Sequence, residues 1–349
     1  MKMKKIFILI LMTLVFYGSG VYAQSRNIFF LIPFYMPETN VGLTFTDILH
    51  FKKDDQKHFS ALNFFALYTL KNQFSIGAMP SIYFDGNNYL LEGKLVYTSF
   101  KRKYFGIGND SSKDDEEDYL NRKHGAGISF SKKIIKNFML GVQYNFEDMT
   151  IQNTKDTGQL QYCKTNGIVS GAGFKATFDT RDSNIYPTKG VLARADYLVY
   201  NNKFASKYDY SKIKFDFRNY FYVYEKKVLF SYQIYSEFIN GNAPIQVLPA
   251  IGGANMIRGF YANRYVDNIL LAVQPEFKIK ITNVVSLALF TGIGNVYNSL
   301  EDINLRKIKI ASGAGIRIKV KNNPKLNFRI DFAASNESRG TYFTLMEAF

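Results

Sequence analysis

The chain contains no tryptophan, one cysteine and three histidines among its 349 residues. A lone Cys163 excludes an internal disulfide. The histidines, His50, His58 and His124, offer no convincing pairing of a base with a nucleophile of the kind that hydrolases need. The sequence also has no GxSxG motif, no phosphate-cradling loop and no Cys/His metal cluster. We therefore expect no enzymatic activity and no cofactor or metal site.

Long hydrophobic runs are also missing after residue 23, since no stretch approaches the roughly 18 apolar residues of a spanning helix. The first 23 residues differ. Lysines within Lys2–Lys5 precede the apolar stretch Ile6–Tyr17 and the small residues of Val21–Ala23. This pattern predicts a cleaved secretory signal peptide over residues 1–23, with a mature chain beginning at Gln24. An uncleaved membrane anchor is the alternative, which the short apolar run disfavours.

Alternation of apolar and polar residues dominates the rest of the chain. From Ile269 to Ile281 every second residue is apolar, whereas the opposite face carries Gln274, Glu276, Lys278 and Lys280. A period of two with one apolar face indicates a half-buried strand. A soluble sandwich would turn the polar face to water, whereas an outer-membrane barrel would turn the apolar face to lipid and the polar face to its lumen.

About sixteen such segments can be counted, an even number that brings both chain ends to the periplasmic side. They span 27–36, 38–48, 57–69, 72–84, 87–99, 118–133, 136–149, 165–179, 189–201, 208–224, 226–240, 268–281, 284–298, 306–320, 325–336 and 340–349. Because lipid tolerates no unpaired strand edge, closure is favoured over an open sheet. We predict an all-β, sixteen-stranded antiparallel transmembrane barrel over residues 24–349. Pro275 cannot donate to a strand ladder, so we expect a local bulge there.

The connections predict the orientation of this barrel. Short turns and long connections alternate along the chain, as periplasmic turns and external loops do in bacterial barrels. The short turns are 85–88, 282–283 and 321–324, and the long connections are 101–117, 150–164 and 241–267. Within the first long connection, Asp110–Asp118 is acidic, which indicates a solvated external loop. The alternative is a loose divalent-cation site that bridges lipopolysaccharide.

The formal net charge of +15 raises the question of partners. An exported chain rarely meets nucleic acid, and no stripe of adjacent basic and aromatic residues suggests a binding helix, so we expect no nucleic-acid partner. The charges are spread along strand faces, which favours a basic lumen or contact with the anionic headgroups of outer-membrane lipid and lipopolysaccharide.

Four motifs in order resemble the BamA/TamA-like bacterial surface antigen superfamily, which also contains two-partner-secretion transporters. They are FDTRDSNIYPTKG (Phe178–Gly190), GGANMIRGF (Gly252–Phe260), LFTGIGNVY (Leu289–Tyr297) and YFTLMEAF (Tyr342–Phe349). The resemblance covers essentially the whole mature chain. It implies a sixteen-stranded barrel with the arginine motif in the sixth external loop, between the eleventh and twelfth strands. Family members usually carry polypeptide-transport-associated (POTRA) domains ahead of the barrel, so this chain resembles a branch that lacks them.

The resemblance also implies functions. Such barrels insert or translocate polypeptides, or lipids, at the outer membrane of Gram-negative bacteria, using a weak seam between the first and last strands. Residues 27–35 and 340–349 would form that seam here. Terminal Phe349 resembles the signal by which the barrel-assembly machinery recognises its substrates. Possible partners are therefore that machinery, client polypeptides and the surrounding lipid.

The arginine motif defines the candidate site. By resemblance, Arg258 with Gly259 and Phe260 forms a loop that locks into the lumen, preceded by the loop glycines Gly252 and Gly253. A buried guanidinium needs an acid. Glu276 matches the first acid of the family, and we predict that it pairs with Arg258. The second family position is occupied by Gly292, so half of the lock is expected to be missing. A solvated Arg258 is the alternative.

The strand-end motif consists of Asp179, Arg181, Asp182, Pro187 and Gly190. Charged residues before proline and glycine are typical of a tight periplasmic turn, which we favour over a direct functional role.

Two other functions remain open. A passive channel would use a basic lumen to favour anions. Its lining would come from Lys278, Lys280, Lys307, Lys309, Arg317 and Lys319. A structural or adhesive surface protein, acting through its external loops, is the third possibility.

Overall fold

A computed structural model describes residues 24–52, 59–153, 158–163, 165–184, 186–320, 323–345 and 347–349. In these residues the predicted sixteen-stranded antiparallel barrel is confirmed, and the barrel closes between its first and last strands. The predicted signal peptide lies outside the described residues. No helix in the described part of the chain is long and apolar enough to span a membrane.

The strand bounds match the predicted segments closely. The barrel strands are β1 (Gln24–Met36), β2 (Asn40–Lys52), β3 (Ser60–Thr69), β4 (Phe74–Phe84), β5 (Tyr89–Tyr104), β6 (Glu117–Ile135), β7 (Phe138–Asn153), β8 (Gly167–Asp179), β9 (Gly190–Tyr200), β10 (Tyr210–Tyr224), β11 (Val228–Gly241), β14 (Ile269–Lys280), β15 (Val285–Tyr297), β16 (Lys309–Val320), β17 (Asn323–Ser335) and β18 (Arg339–Leu345). Two short strands, β12 (Ala250–Ile251) and β13 (Tyr265–Val266), form a separate sheet. Short 3-10 turns cover Asp85–Asn87, Gln159–Tyr162, Asn202–Phe204, Ile245–Val247 and Leu300–Asp302.

Alternation sorts the side chains between two surfaces. On β14, Val273 and Phe277 are exposed on the outer wall, whereas Gln274 and Glu276 are buried inside. The outer wall therefore presents the apolar band that lipid would contact, and the lumen receives the polar groups.

The expected bulge at Pro275 is wrong. Pro275 pairs with Tyr232 of β11 in an unbroken register. On the β15 side the ladder is interrupted between the pairs Val273–Ile293 and Glu276–Phe290, but the register is the same on both sides of the gap. The missing proline N–H thus leaves a short gap between β14 and β15 without adding a residue.

Five long connections lie at one end of the barrel, which we call the loop end, opposite the end where β1 begins and β18 ends. They are residues 105–116, 154–166, 201–209, 242–268 and 298–308. The turns 85–88, 136–137, 225–227 and 281–284 lie at the other end, which we call the turn end, and so does the longer connection between β8 and β9.

The junction of β1 and β18, which we call the seam, is the shortest strand pairing in the described barrel. β1 pairs with β2 over all thirteen of its residues. Its pairing with β18 is recorded at Tyr35 and Phe343. This antiparallel register places Leu345, the last residue of β18, opposite Pro33. Residues 24–32 of β1 therefore extend beyond the end of β18, towards the turn end.

Candidate functional site

The connection from residue 242 to residue 268, which we call loop 6, folds into the lumen. The pairing of β12 with β13 draws its two arms together. Its apolar side chains then form a buried cluster with residues of the barrel wall. The members are Ile251, Ile257, Phe260, Tyr265, Leu270, Ala272, Val296 and Ala311. This cluster holds the tip of loop 6 against β14, β15 and β16.

Glycines allow the tight path of the loop. Gly252 has φ of +112° and its N–H donates to the Met256 carbonyl at 2.9 Å. Gly253 has φ of +96° and donates to Phe260 O at 3.1 Å. Gly259 has φ of +116°, and a Cβ there would lie 2.9 Å from the Cβ of Ala311. Only glycine combines this backbone conformation with such close contact to the wall.

Arg258, at the tip of loop 6, is enclosed in the lumen with its side chain 1% exposed. Its Nη2 lies 2.8 Å from Glu276 Oε2 and its Nη1 lies 2.5 Å from Asp331 Oδ2. The guanidinium carbon is 3.5 Å from the centre of the Phe290 ring. A desolvated arginine is stable only with such partners, since removing them would leave a buried charge.

Arg317 of β16 joins the two acids from the other side. It contacts Glu276 Oε1 at 3.1 Å through Nη2, Asp331 Oδ1 at 2.6 Å through Nη1, and Glu347 Oε2 at 3.1 Å through Nε. Arg329 lies 3.5 Å from Asp331 and donates to the Ala254 carbonyl of loop 6 at 3.0 Å. We call this set of charged groups the lumen network. It consists of Arg258, Glu276, Lys278, Arg317, Arg329, Asp331 and Glu347.

The structure thus brings Arg258 and Glu276 together and supplies a second acid from an unexpected place. A Cβ at Gly292 would lie 2.9 Å from the Cα of Ile257, so the loop itself occupies the space of the family acid. Asp331, on β17, takes the role that sequence reasoning left vacant. Alternation along β17 puts Asp331 on the same face as Asn327 and Arg329, but strand pairing, which sequence does not show, decides what that face meets.

Loop 6 contacts both sides of the seam. On the β18 side, the Tyr342 hydroxyl accepts from Gly259 N at 3.1 Å, and Ser338 Oγ donates to Gly259 O at 2.6 Å. On the β1 side, Glu38 in the turn between β1 and β2 accepts from Ala262 N at 2.8 Å. The loop therefore spans the junction where backbone pairing is shortest.

The strand-end motif forms a turn at the turn end of the barrel. Arg181 donates to both carboxylate oxygens of Asp179, at 3.0 and 2.7 Å. Asp182 accepts from the Thr188 amide at 2.8 Å, and Gly190 has φ of +99°. Burial opposes ionisation of Asp182, but the hydrogen bonds from Thr188 and Lys189 hold its pKa below the usual range.

This turn also reaches the lumen network. Pro187 is buried in the turn. The neighbouring Tyr186 ring lies 5.0 Å from the Lys278 ammonium, a cation–π contact.

The C-terminus departs from the expected geometry. We predicted a last strand over 340–349 with Phe349 on it, but β18 ends at Leu345 and buried Phe349 lies beyond the strand. The reason is Glu347, whose carboxylate turns inward to Asn327 at 2.9 Å and Lys278 at 3.3 Å. With Arg317 as a further partner, the Glu347 carboxylate thus neutralises two buried cations inside the barrel, Lys278 and Arg317.

Most of the basic side chains predicted to line an anion channel have partners within the protein. Lys278 and Arg317 belong to the lumen network. At the loop end, Lys307 pairs with Asp110 at 2.8 Å, and the Lys309 ammonium lies 3.9 Å from the centre of the Tyr265 ring. Elsewhere in the acidic loop Glu116 pairs with Lys103. In the described residues no group of three or more metal-type ligands occurs.

Comparison with known proteins relates most of the chain to one family. The family model described as the Omp85 superfamily domain matches residues 39–345. The chain is similar to BamA from Haemophilus ducreyi lacking POTRA domains 1–3, with 10% identity and a TM-score of 0.66 over 97% of this chain and 78% of that one. No curated protein matches.

Two solved CdiB structures are also similar. CdiB from Acinetobacter baumannii has 11% identity and a TM-score of 0.59, over 92% of this chain and 59% of that one. CdiB from Escherichia coli has 9% identity and a TM-score of 0.62, over 92% of this chain and 62% of that one. The chain therefore spans about three fifths of the length of these two proteins. At such identities the likeness shows the fold.

Proposed function

Because the chain belongs to the Omp85 superfamily of outer-membrane barrels, we propose that it inserts or translocates polypeptides at the outer membrane through the seam. Lipids are the alternative cargo. In this proposal the chain reaches the outer membrane of a Gram-negative bacterium after a signal peptide is removed, with its loop end outside.

The short seam is the observation that carries the proposal. Nine residues of β1, 24–32, run beyond the end of β18, so their outward backbone groups meet no strand of the described barrel. Pro33 has no N–H to donate at this edge. An unpaired strand edge is a template for another strand, and edge addition is a general mode of peptide recognition. A client strand could therefore pair with β1 without first breaking a long ladder.

Loop 6 suits the same function. It fills the lumen beside the seam and is held by the lumen network, which lies on β14, β16, β17 and the C-terminal segment. A barrel that opens laterally must keep its lumen closed to solutes, and an anchored inward loop provides that closure. The same loop argues against the passive anion channel, since Arg317 and Lys278 are paired with acids rather than free to attract solutes.

The test compares two disulfide locks in a chain whose Cys163 is replaced by serine. Tyr35→Cys with Phe343→Cys closes the seam. The control, Leu31→Cys with Phe45→Cys, links an ordinary pair of β1 and β2. We expect the oxidised seam lock, and not the control, to deplete specific barrel or surface proteins from the outer-membrane and secreted proteome, with recovery under reductant. An unchanged proteome in the seam lock would reject the proposal.

A further inference from the structure

An acidic side chain lies on the outer wall of the barrel, next to the seam. On β2, the outward residues Val41, Leu43 and Phe45 are exposed, each at 44–45%. Side chains alternate along a strand, so Asp47 and Leu49 share this outer face. The opposite face carries Gly42, which packs under the ring of lumenal Phe34. Asp47 therefore lies on the outer wall of the barrel.

The surroundings of Asp47 are apolar. Its partners across the ladder are Phe29 of β1 and Phe64 of β3, and Phe45 and Leu49 lie above and below it on the same strand. Oδ1 of Asp47 is buried and has no hydrogen-bond partner, and no ion pair of the described residues includes this carboxylate. Among the described strands, no other acid lies between two apolar residues on the outer face.

Such a placement is costly in a barrel. Ionisable groups on the lipid face destabilise barrels by amounts that depend on depth. Within membranes these groups are rare, and they mark functional contacts with a partner of opposite charge. In the described residues, no hydrogen bond to Oδ1 and no ion pair gives Asp47 a part in holding the fold together. A binding role accounts for its position.

The partner follows from the geometry of the seam. β1 separates β2 from the free edge, and neighbouring strands lie about 4.8 Å apart. A strand added to that edge would lie roughly 10 Å from β2. A lysine or arginine reaching over Phe29 spans this separation. Phe29, at 71% exposed, would lie under the cation as an aromatic surface.

We propose that Asp47 is a recognition site for a lysine or arginine on the lipid-facing side of a client strand that adds to β1. This inference rests on the proposed function and specifies the chemistry of its client. It predicts that clients carry a basic residue where an outward apolar residue is usual. The pair would form in a low-dielectric environment, where a charge-assisted contact is strong.

The test uses proteoliposomes containing the whole protein with a photo-crosslinking residue at Leu31. The probes are synthetic alternating nine-residue strands that differ only by Lys or Gln at one outward position. Matched variants are Asp47→Asn and, as a control acid on the outer face near the loop end, Asp148→Asn. We expect about tenfold more crosslinking of the Lys strand than of the Gln strand, corresponding to a coupling of about 1.4 kcal/mol. The preference should vanish in Asp47→Asn and persist in Asp148→Asn.

The outcomes are distinct. Crosslinking without a Lys preference would overturn the role of Asp47 and leave strand addition intact. No crosslinking of either strand would overturn both proposals. A third outcome is that Asp47 binds a lipid amine. Phosphatidylethanolamine would then stabilise the wild type but not Asp47→Asn, and neither strand would be preferred. This result would also overturn the inference. The unfolding temperature of Asp47→Asn is a further check. A value at or above that of the wild type would show that Asp47 has no structural role and would support recognition, whereas a clear fall would contradict it.

Discussion

The two walls that meet at the seam differ in how they hold loop 6. The β14–β18 wall carries the lumen network, with Arg258 bound to Glu276 and Asp331 at its centre. The inner face of β1–β3 presents residues such as Ile32, Phe34 and Phe65. In the described residues, the hydrogen bond between this wall and the loop runs from Ala262 to Glu38 in the turn after β1. One wall anchors the loop and the other contacts it.

This difference suggests how the seam could open while loop 6 stays in the lumen. If the seam opens, the buried ion pairs keep loop 6 on the β14–β18 wall. On the β1 side, the described contacts to be broken are the hydrogen bond from Ala262 to Glu38, the packing of Met36 against the cluster of Phe290, Ala333 and Tyr342, and a short strand pairing. Motion would then follow the weakest interactions, as local opening generally does. Three predictions test the asymmetry, from the largest effect to the smallest.

Asp331→Asn should destabilise the barrel most. It removes a carboxylate that binds Arg258 and Arg317, leaving two buried arginines short of an acid. Breaking a buried ion pair costs about 3–5 kcal/mol. The control, Asp216→Asn, neutralises an acid that pairs with Arg218 in a more exposed position on the inner face of β10. Heat-modifiability in detergent should show a clearly larger fall in unfolding temperature for Asp331→Asn, and equal falls would contradict a special role for the lumen network.

The strand plan was predictable from sequence because alternation is a local property. Each of the sixteen segments carries its own period of two, and the turn residues between them fix the count. Pairing of Arg258 with Glu276 followed from the family motif, because burying arginine requires an acid.

Long-range geometry was not predictable in this way. Asp331 meets Arg258 only because β17 lies beside β16, and because Gly315 leaves space for its carboxylate. Glu347 interrupts an apolar alternation, a signal that the chain leaves its strand, but its partners Lys278 and Arg317 are distant in sequence. The local sequence pattern shows which side chains face the lumen, whereas closure of the barrel determines which of these side chains contact one another.

Gly292→Asp tests whether the β14–β18 wall can accept the second acid of the family at position 292. The substitution restores the family residue, yet its Cβ would press on the backbone of Ile257 at 2.9 Å. We expect displacement of loop 6 and a loss of about 1–3 kcal/mol, as for other overpacked positions. Gly292→Ala should show a smaller loss, since it adds the clash without a charge. Channel conductance should rise with loop displacement. A more stable Gly292→Asp with unchanged conductance would mean that the site does accept the acid.

Glu38→Gln tests the lightly held wall and should have the smallest effect. A hydrogen bond of this kind contributes about 1 kcal/mol. Burial raises the pKa of Glu38, although the amides of the turn and of Ala262 and the nearby Arg102 and Lys71 oppose this. A carboxyl whose pKa is raised on folding binds its proton more tightly in the folded state, so its contribution to stability grows as pH falls. Lowering the pH from 7 towards 5 should therefore stabilise the wild type relative to Glu38→Gln, which cannot titrate there. The unfolding temperatures of the wild type and of Glu38→Gln at each pH measure this difference. If the difference does not vary with pH, Glu38 does not titrate within the contact between loop 6 and the β1 wall.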